Sequence, residues 1–227
     1  MSSIYGMTIV FIQNRSQTTE INQDSMKNPG LRSSKKLLEI LHANARKKEI
    51  RFEDIIKQLG PRAFGIALLF FSLPIALPFS VIPGVAFVFS VPIFFFSAQM
   101  IFGRNTLWLP EKIAKKTISY QSLVNIIQKT VPYLEKAEYF LKPRLAFMTS
   151  RAMEIMTGLV ILFLALLLML PIPFSNFIFA ILLITFSLGL IEKDGVIILL
   201  GYAATLLYVG LIFWVITAAV HKLMAWV

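Results

Sequence analysis

LPIALPFSVIPG, Leu73 to Gly84, places three prolines and a glycine inside an apolar stretch that carries no charge. Proline removes a backbone donor and clashes with the preceding turn, so a helix cannot run unchanged through this stretch. Hydrocarbon does not tolerate unpaired backbone groups unless protein or a water-filled cavity covers them. The stretch therefore predicts a broken hairpin, interrupted by Pro74, Pro78, Pro83 and Gly84.

The composition indicates an integral membrane protein. Of the 227 residues, 57% are hydrophobic and 15% are charged, and the mean hydropathy is +0.74, which is too apolar for a soluble domain of this length. Residues 63–103, 155–191 and 195–220 contain no Asp, Glu, Lys or Arg, as membrane segments do. The absence of cysteine excludes disulfides and thiolate chemistry.

The second apolar window repeats the plan of the first. LPIPFSN, Leu170 to Asn176, contains Pro171 and Pro173 and separates two apolar arms. The tripeptide PFS occurs at residues 78–80 and again at 173–175. Together these features predict an internal repeat of two broken hairpins.

The lengths of the arms favour re-entrant hairpins. Only residues 63–73 precede the first proline, an arm of about 16 Å, while residues 156–170 and 177–191 give arms of about 22 Å. The hydrocarbon core of a bilayer is about 30 Å thick. The arms are thus predicted to end inside the membrane; plain transmembrane hairpins with solvated turns are the alternative.

Basic residues determine the predicted topology. Eleven Lys or Arg lie in residues 1–62 and nine in residues 104–151, so the positive-inside rule assigns both segments to the cytoplasm. This distribution accounts for the net charge of +10, so no nucleic-acid partner is needed to explain it. The predicted fold is an all-α polytopic membrane protein with two re-entrant hairpins, a C-terminal transmembrane helix and cytoplasmic amphipathic helices. Its predicted segments are a flexible lead-in (1–30), amphipathic helices (31–62), the first hairpin (63–103), further amphipathic helices (104–154), the second hairpin (155–194), and the last helix with its tail (195–227).

Three polar residues at the hairpin turns are candidate ligands. Ser80, and Ser175 or Asn176, are good N-caps for the outgoing arms. The positive ends of two half-helices would then point into the bilayer interior, where free N–H groups attract a phosphate or carboxylate. Half-length hairpins in corresponding places also indicate a transporter-like site at the midplane.

Four charges lie at the ends of the apolar windows, and a fifth, Arg144, lies between the first two windows. Arg62 and Arg104 flank the first window, and Glu192 and Asp194 follow the second. Pairing of an arginine with one of these carboxylates would lock the hairpins together; the alternative is that all four anchor helix ends at the interface. Arg144, after Pro143, is a candidate for binding a lipid phosphate.

The sequence offers no enzyme signature. No HExxH, GxSxG, P-loop or dinucleotide motif occurs, and both histidines, His42 and His221, lie in polar flanking segments. We expect no catalytic residue, no metal and no cofactor. Carboxylates occur only outside the apolar windows, which disfavours coupling to protons through a side chain.

Short motifs recur in a fixed order along the chain: Leu59-Gly60-x-Arg62-x-x-Gly65, Leu73-Pro74-x-x-Leu77-Pro78, Pro83-Gly84, Gln99-x-x-x-Gly103-Arg104, Trp108-Leu109-Pro110, Glu138 with Pro143-Arg144, Pro171-x-Pro173-x-x-Asn176, and Gly189-Leu190-x-Glu192-x-Asp194-Gly195. Over roughly residues 35 to 215 this series resembles the ExoD family of bacterial exopolysaccharide-synthesis membrane proteins. The family has Glu and Asn where this chain has Pro61 and Ile75. The resemblance implies a process, not a reaction.

We therefore expect a multi-pass protein of the bacterial inner membrane with a cytoplasmic N-terminus, acting in exopolysaccharide or cell-envelope production. The hairpins would bind or translocate an anionic lipid-linked saccharide or polyprenyl phosphate. Expected partners are membrane lipids, polysaccharide-synthesis proteins or a second copy, and no nucleic acid. Two alternatives are a structural partner of a polysaccharide synthase and a lipid-phosphate flippase resembling the DedA group.

Overall fold

The computed structural model describes residues 33–45, 48–77, 84–141, 143–170 and 175–224. Five of the residues singled out above, Pro78, Ser80, Pro83, Pro171 and Pro173, lie outside these ranges, as does the lead-in. The described chain is almost entirely helical and contains two short strands. In order, the elements are α1 (Ser33–Asn44), β1 (Glu49–Arg51), α2 (Phe52–Leu59), α3 (Arg62–Ala76), α4 (Val85–Ile101), α5 (Glu111–Ala114), β2 (Thr117–Ser119), α6 (Tyr120–Phe140), a 3-10 turn (Ala146–Thr149), α7 (Arg151–Met169), α8 (Ser175–Glu192) and α9 (Gly195–Met224).

Two helical hairpins form the main core. The first consists of α3 and α4, the second of α7 and α8, and they pack crosswise: α3 lies against α8, and α4 lies against α7. Helix α9 packs on α8. The core side chains are mainly aliphatic and aromatic, and they include the fully buried Leu68, Ile93, Ile161, Leu183 and Phe186.

Small residues let the two hairpins approach closely. A Cβ atom on Gly65 of α3 would lie 2.9 Å from the backbone oxygen of Ser187 in α8, and one on Gly158 of α7 would lie 2.9 Å from Cβ of Met100 in α4. Buried serines occupy the same interfaces and donate hydrogen bonds within their own helices, as Ser187 does to the carbonyl of Leu183 at 2.7 Å. Close backbone approach through small residues is typical of helices that associate in membranes.

A second, smaller core lies in the two basic segments that flank the first hairpin. Helices α1 and α6 pack together, and Ile40, Leu41, Ile50, Leu123 and Ile127 are buried between these segments. Strands β1 and β2 pair antiparallel, with Ile50 opposite Ile118. This two-stranded sheet was not predicted, and it joins segments that flank the first hairpin on either side. The chain then bends by 113° between α2 and α3, next to Gly60 and Pro61.

Helices α3 and α6 each contain a proline, and α3 is longer than predicted. Helix α3 continues past Pro74 to Ala76, and α6 runs through Pro132, so neither proline is where its helix ends. Only two helical residues follow Pro74 in α3, so little helix is affected by the bond that it cannot donate to the carbonyl of Phe70, and Pro132 is exposed, so water can satisfy the carbonyl that it leaves unpaired.

The second hairpin also has longer arms than the expected 15 residues. Helices α7 and α8 contain 19 and 18 residues, about 28 and 27 Å. Within the described ranges, three helices are long and apolar enough to cross a membrane: α7, α8 and the Gly195–Lys222 part of α9.

Candidate functional site

Buried polar side chains collect where the hairpins meet helices α1 and α6. Arg62, the first residue of α3, is 8% exposed, and its Nε donates a hydrogen bond to the carbonyl oxygen of Ile191 at 3.0 Å. Oγ of Ser33 donates to the same oxygen at 2.8 Å. The carboxylate of Glu192, 4% exposed, interacts electrostatically with Arg62, and its Oε1 is buried without a hydrogen-bond partner among the described residues. The start of α3, the end of α8 and the start of α1 therefore meet at one point.

Glu138 attaches the start of α1 to α6. It is 2% exposed, and its two carboxylate oxygens accept hydrogen bonds from the backbone N–H of Ser34 at 2.7 Å and from Oγ of Ser34 at 2.9 Å. A carboxylate at a helix N-terminus also complements the positive end of the helix. Glu138 and Glu192 influence each other electrostatically, so two carboxylates and Arg62 share this buried region, which we call the charge cluster.

A second polar site lies at the opposite end of α8. Ser175 is 5% exposed, and its Oγ accepts a hydrogen bond from the hydroxyl of Tyr208 at 3.0 Å. The ring of Tyr208 packs edge-on against Phe179, with 5.4 Å between ring centres. The side-chain oxygen of Asn176 is buried and, among the described residues, has no hydrogen-bond partner. We call Ser175, Asn176 and Tyr208 the turn site.

The turn site lies halfway along α9. From Gly195 to Tyr208 the helix extends about 20 Å, and from Val209 to Met224 it continues for about 24 Å more. The second part carries large exposed apolar side chains, including Leu211, Phe213 and Trp214. The second hairpin therefore ends well before α9 does.

The structure brings some predicted residues together and separates others. Arg62 and Glu192 share the charge cluster, whereas Arg104 is exposed beyond the end of α4. Oδ1 of Asp194 accepts a hydrogen bond from the backbone N–H of Val196 at 2.9 Å, so Asp194 caps α9. The side chain of Arg144 is exposed, and its carbonyl oxygen accepts a hydrogen bond from the N–H of Gly195 at 2.8 Å. The predicted proximity of Ser80 to Ser175 and Asn176 stays a prediction, because Ser80 lies outside the described residues.

Sequence reasoning overlooked four members of these sites. Ser33 and Ser34 lie in a polar segment, and their role becomes apparent only when α1 packs on the hairpins. Glu138 occurs among the family motifs and was given no role. Tyr208 is one of four hydroxyl-bearing residues inside the apolar helix α9, and a buried tyrosine hydroxyl usually finds a hydrogen-bond partner, which is a signal that the sequence does contain. In the described part of the chain, no group of three His, Asp or Glu side chains is placed to hold a metal ion.

Comparison with known proteins places these features in a family context. The family model described as "Exopolysaccharide synthesis, ExoD" matches residues 34–214. The chain is 32% identical over 184 residues to Protein ExoD of Rhizobium meliloti (strain 1021), covering 78% of this chain and 76% of that protein. It is also 32% identical over 167 residues to an uncharacterized protein of Synechocystis sp., covering 73% and 78% of the two chains. No solved structure matches the chain significantly.

Proposed function

Since this chain belongs to the ExoD family of exopolysaccharide-synthesis proteins, we propose that it holds an anionic lipid-linked intermediate between its two hairpins and catalyses no reaction itself. The protein would bind the phosphate of a lipid-linked saccharide or a polyprenyl phosphate inside the bacterial inner membrane, with its N-terminus in the cytoplasm. Two broken hairpins around one site could also move against each other and so translocate that lipid across the membrane.

The position of the turn site carries this proposal. The apolar part of α9 is Gly195–Lys222, and Tyr208 lies at its middle. That part is about 42 Å long. If it is centred in a 30 Å core, the hydrogen bond between Tyr208 and Ser175 lies near the midplane, and α8, about 27 Å long, extends about 12 Å beyond the core at its Glu192 end. A polar turn at this depth requires a reason, because water is absent there. An anionic headgroup in transit supplies one.

The local chemistry suits an anion. The first N–H groups of α8 have no partners within the helix and carry its partial positive charge. The amide of Asn176 adds an adaptable donor or acceptor, and no Asp or Glu occurs in the apolar windows to repel a phosphate. Tyr208 holds Ser175 in place through its hydroxyl.

An internal repeat would supply a matching turn from the first hairpin. Gly65 lies where α3 approaches α8, and Gly158 lies where α7 approaches α4. If the two hairpins exchanged places, these two contacts would exchange with each other, so the packing of α3 with α8 and of α4 with α7 would be unchanged. The pair Phe96-Ser97 of α4 recurs as Phe186-Ser187 in α8, and in each helix Phe and Ser lie in the same core. We infer two repeats related by an axis along the membrane normal.

In this proposal the charge cluster holds α3 and α8 together on the cytoplasmic side. Arg62 of α3 and Ser33 of α1 share one carbonyl at the end of α8, so moving α8 away from both helices would break two hydrogen bonds at once. The bond from the charged Arg62 is worth about 1.5–3 kcal/mol. Opening would therefore need compensation by a bound ligand or a partner.

Substitution of Asn176 tests the proposal in cells that lack their own copy of the gene. Asn176→Asp keeps the size of the side chain but adds negative charge, so it should abolish exopolysaccharide production at normal protein abundance. Asn176→Ala should reduce production, because it removes the polar amide from the turn site, and it should cost little stability, because the side-chain oxygen of Asn176 accepts no hydrogen bond from a described residue. The matched control is Asn125→Asp, on the exposed face of α6, which should leave production unchanged. Wild-type production with Asn176→Asp would contradict an anion site.

A structural partner of a polysaccharide synthase is the second candidate. The Val209–Met224 part of α9 is exposed along its apolar surface, as a helix that binds another membrane protein would be. Native mass spectrometry of the purified protein separates the two functions. A retained polyprenyl phosphate supports lipid handling, whereas a retained synthase without such a lipid supports the structural role.

A further inference from the structure

An apolar groove of about 670 Å³ runs along the outer face of the first hairpin. Phe70 of α3 and Phe95 of α4 form its walls and are 66% and 59% exposed, and Phe52, Trp108 and Ile113 close its cytoplasmic end. The groove lies away from the interface between the hairpins, where α3 and α4 contact α8 and α7. Its lining is almost entirely hydrocarbon, so water is a poor occupant.

The wall at the cytoplasmic end is fixed by a polar clip. The backbone N–H of Trp108 donates to Oε1 of Gln99 at 2.8 Å, and Nε2 of Gln99 donates back to the carbonyl oxygen of Trp108 at 3.3 Å. This pair attaches the loop after α4 to the last turn of that helix. The groove is thus a preformed feature of the fold, as ligand pockets usually are.

A polar cavity of about 310 Å³ adjoins the groove and shares part of its wall. Glu53 pairs with Lys57, and Glu111 pairs with Lys115 at 2.6 Å, so these four charges neutralise one another. Arg104 lines the same cavity, is exposed, and has no carboxylate contact among the described residues. The cavity therefore carries one net positive charge.

The two compartments match an amphipathic anion. We propose that the groove binds an acyl chain of an anionic membrane phospholipid, whose phosphate contacts Arg104 in the polar cavity. Arginine presents a planar fork of donors that fits phosphate oxygens, and Trp108 lies where the chain and the headgroup meet, as tryptophan commonly does at membrane interfaces. This site goes beyond the proposed function, because it lies on the outer face of the first hairpin and needs no cargo at the turn site.

The test measures lipid retention by the full-length protein in nanodiscs with equal amounts of phosphatidylglycerol and phosphatidylcholine, followed by native mass spectrometry. Wild-type protein should retain phosphatidylglycerol preferentially. Arg104→Gln should lower this preference about tenfold, the effect of losing one hydrogen bond between charged groups. Ala67→Phe places a ring in the groove and should lower retention of both lipids about tenfold.

Matched variants separate the site from general effects of charge and bulk. Lys129→Gln on α6 and Ala203→Phe on α9 change exposed residues that do not line the groove, and both should retain lipid as the wild type does. The proposal is overturned if Ala67→Phe behaves as Ala203→Phe, or if the wild type shows no lipid preference. It is also overturned if Ala67→Phe releases a second copy of the chain and no lipid. The Asn176 variants should retain lipid normally, so failure here and failure at the turn site are distinguishable.

Discussion

Replacing Gly65 with alanine tests the packing of the two hairpins directly. The new Cβ would lie 2.8 Å from Cγ1 of Ile191 and 2.9 Å from the backbone oxygen of Ser187. A side-chain carbon can rotate away, but a backbone oxygen in a buried helix moves only if the helix moves. Gly65→Ala should therefore push α3 away from α8.

The expected cost follows from two opposing effects. Overpacking of a core costs about 1–3 kcal/mol, while alanine in place of glycine favours the helix by up to about 1 kcal/mol. Because two of the three close contacts of the new Cβ are to backbone atoms, the overpacking cost lies in the upper part of its range, about 2–3 kcal/mol, and the net loss is about 1–2 kcal/mol. For a domain of this size each kcal/mol lowers Tm by about 2–4 °C, so the melting temperature should fall by about 2–8 °C.

Thermal unfolding of the detergent-purified protein, followed by tryptophan fluorescence, measures this change. Gly210→Ala is the matched control, because no atom lies within 4 Å of the added Cβ, and its Tm should stay the same or rise. Gly158→Ala, with contacts of 2.9 and 3.3 Å to α4, should lower Tm by less than Gly65→Ala. A Gly65→Ala protein as stable as the Gly210→Ala protein would refute close packing of α3 on α8.

Three further predictions concern the cytoplasmic side and the topology. Cysteine at Ser119 should resist an impermeant thiol reagent in intact cells while cysteine at Met224 reacts, because the basic segments stay in the cytoplasm; the opposite pattern would reverse the topology. Glu138→Ala leaves the two donors of Ser34 without their acceptor and should lower the free energy of unfolding by about 2–3 kcal/mol. Limited proteolysis should then cleave α1 before α7. Equal sensitivity of both helices would argue against a separate smaller core. Asp194→Ala removes the cap of α9 and should destabilise the protein by about 1 kcal/mol, measured as a lower Tm, whereas Asp194→Asn should retain most of the stability.

The sequence predicts those parts of the fold that depend on local signals. Charge and hydropathy locate the helical segments, and Gly60-Pro61 marks the end of α2 at Leu59. The spacing of the prolines predicts two hairpins but not their exact ends. Pro74 and Pro132 lie within helices, because the cost of a proline depends on how much helix follows it and on whether water reaches the carbonyl that it leaves unpaired.

The sites depend on contacts between distant segments, which the sequence does not reveal. Glu138 and Ser34 are 104 residues apart, and Arg62 and Ile191 are 129 residues apart. Glu138 looks like one more charge on an amphipathic helix until the start of α1 covers it. The sequence does predict that Arg62 and Glu192 lie at the ends of apolar windows, and the crosswise packing of the hairpins then brings those ends together.

The crosswise packing has a consequence for how the protein is made. Helix α3 contacts α8, which the ribosome completes only at Glu192, long after it has finished α4 at Ile101. At about 5–20 residues per second, the first hairpin waits roughly 5–18 seconds for its partner. During that interval Gly65, Ser72 and Ser97 have no second hairpin to cover them, so the lipid or an insertase must do so. Slowing translation between the two halves should therefore increase degradation of the nascent chain.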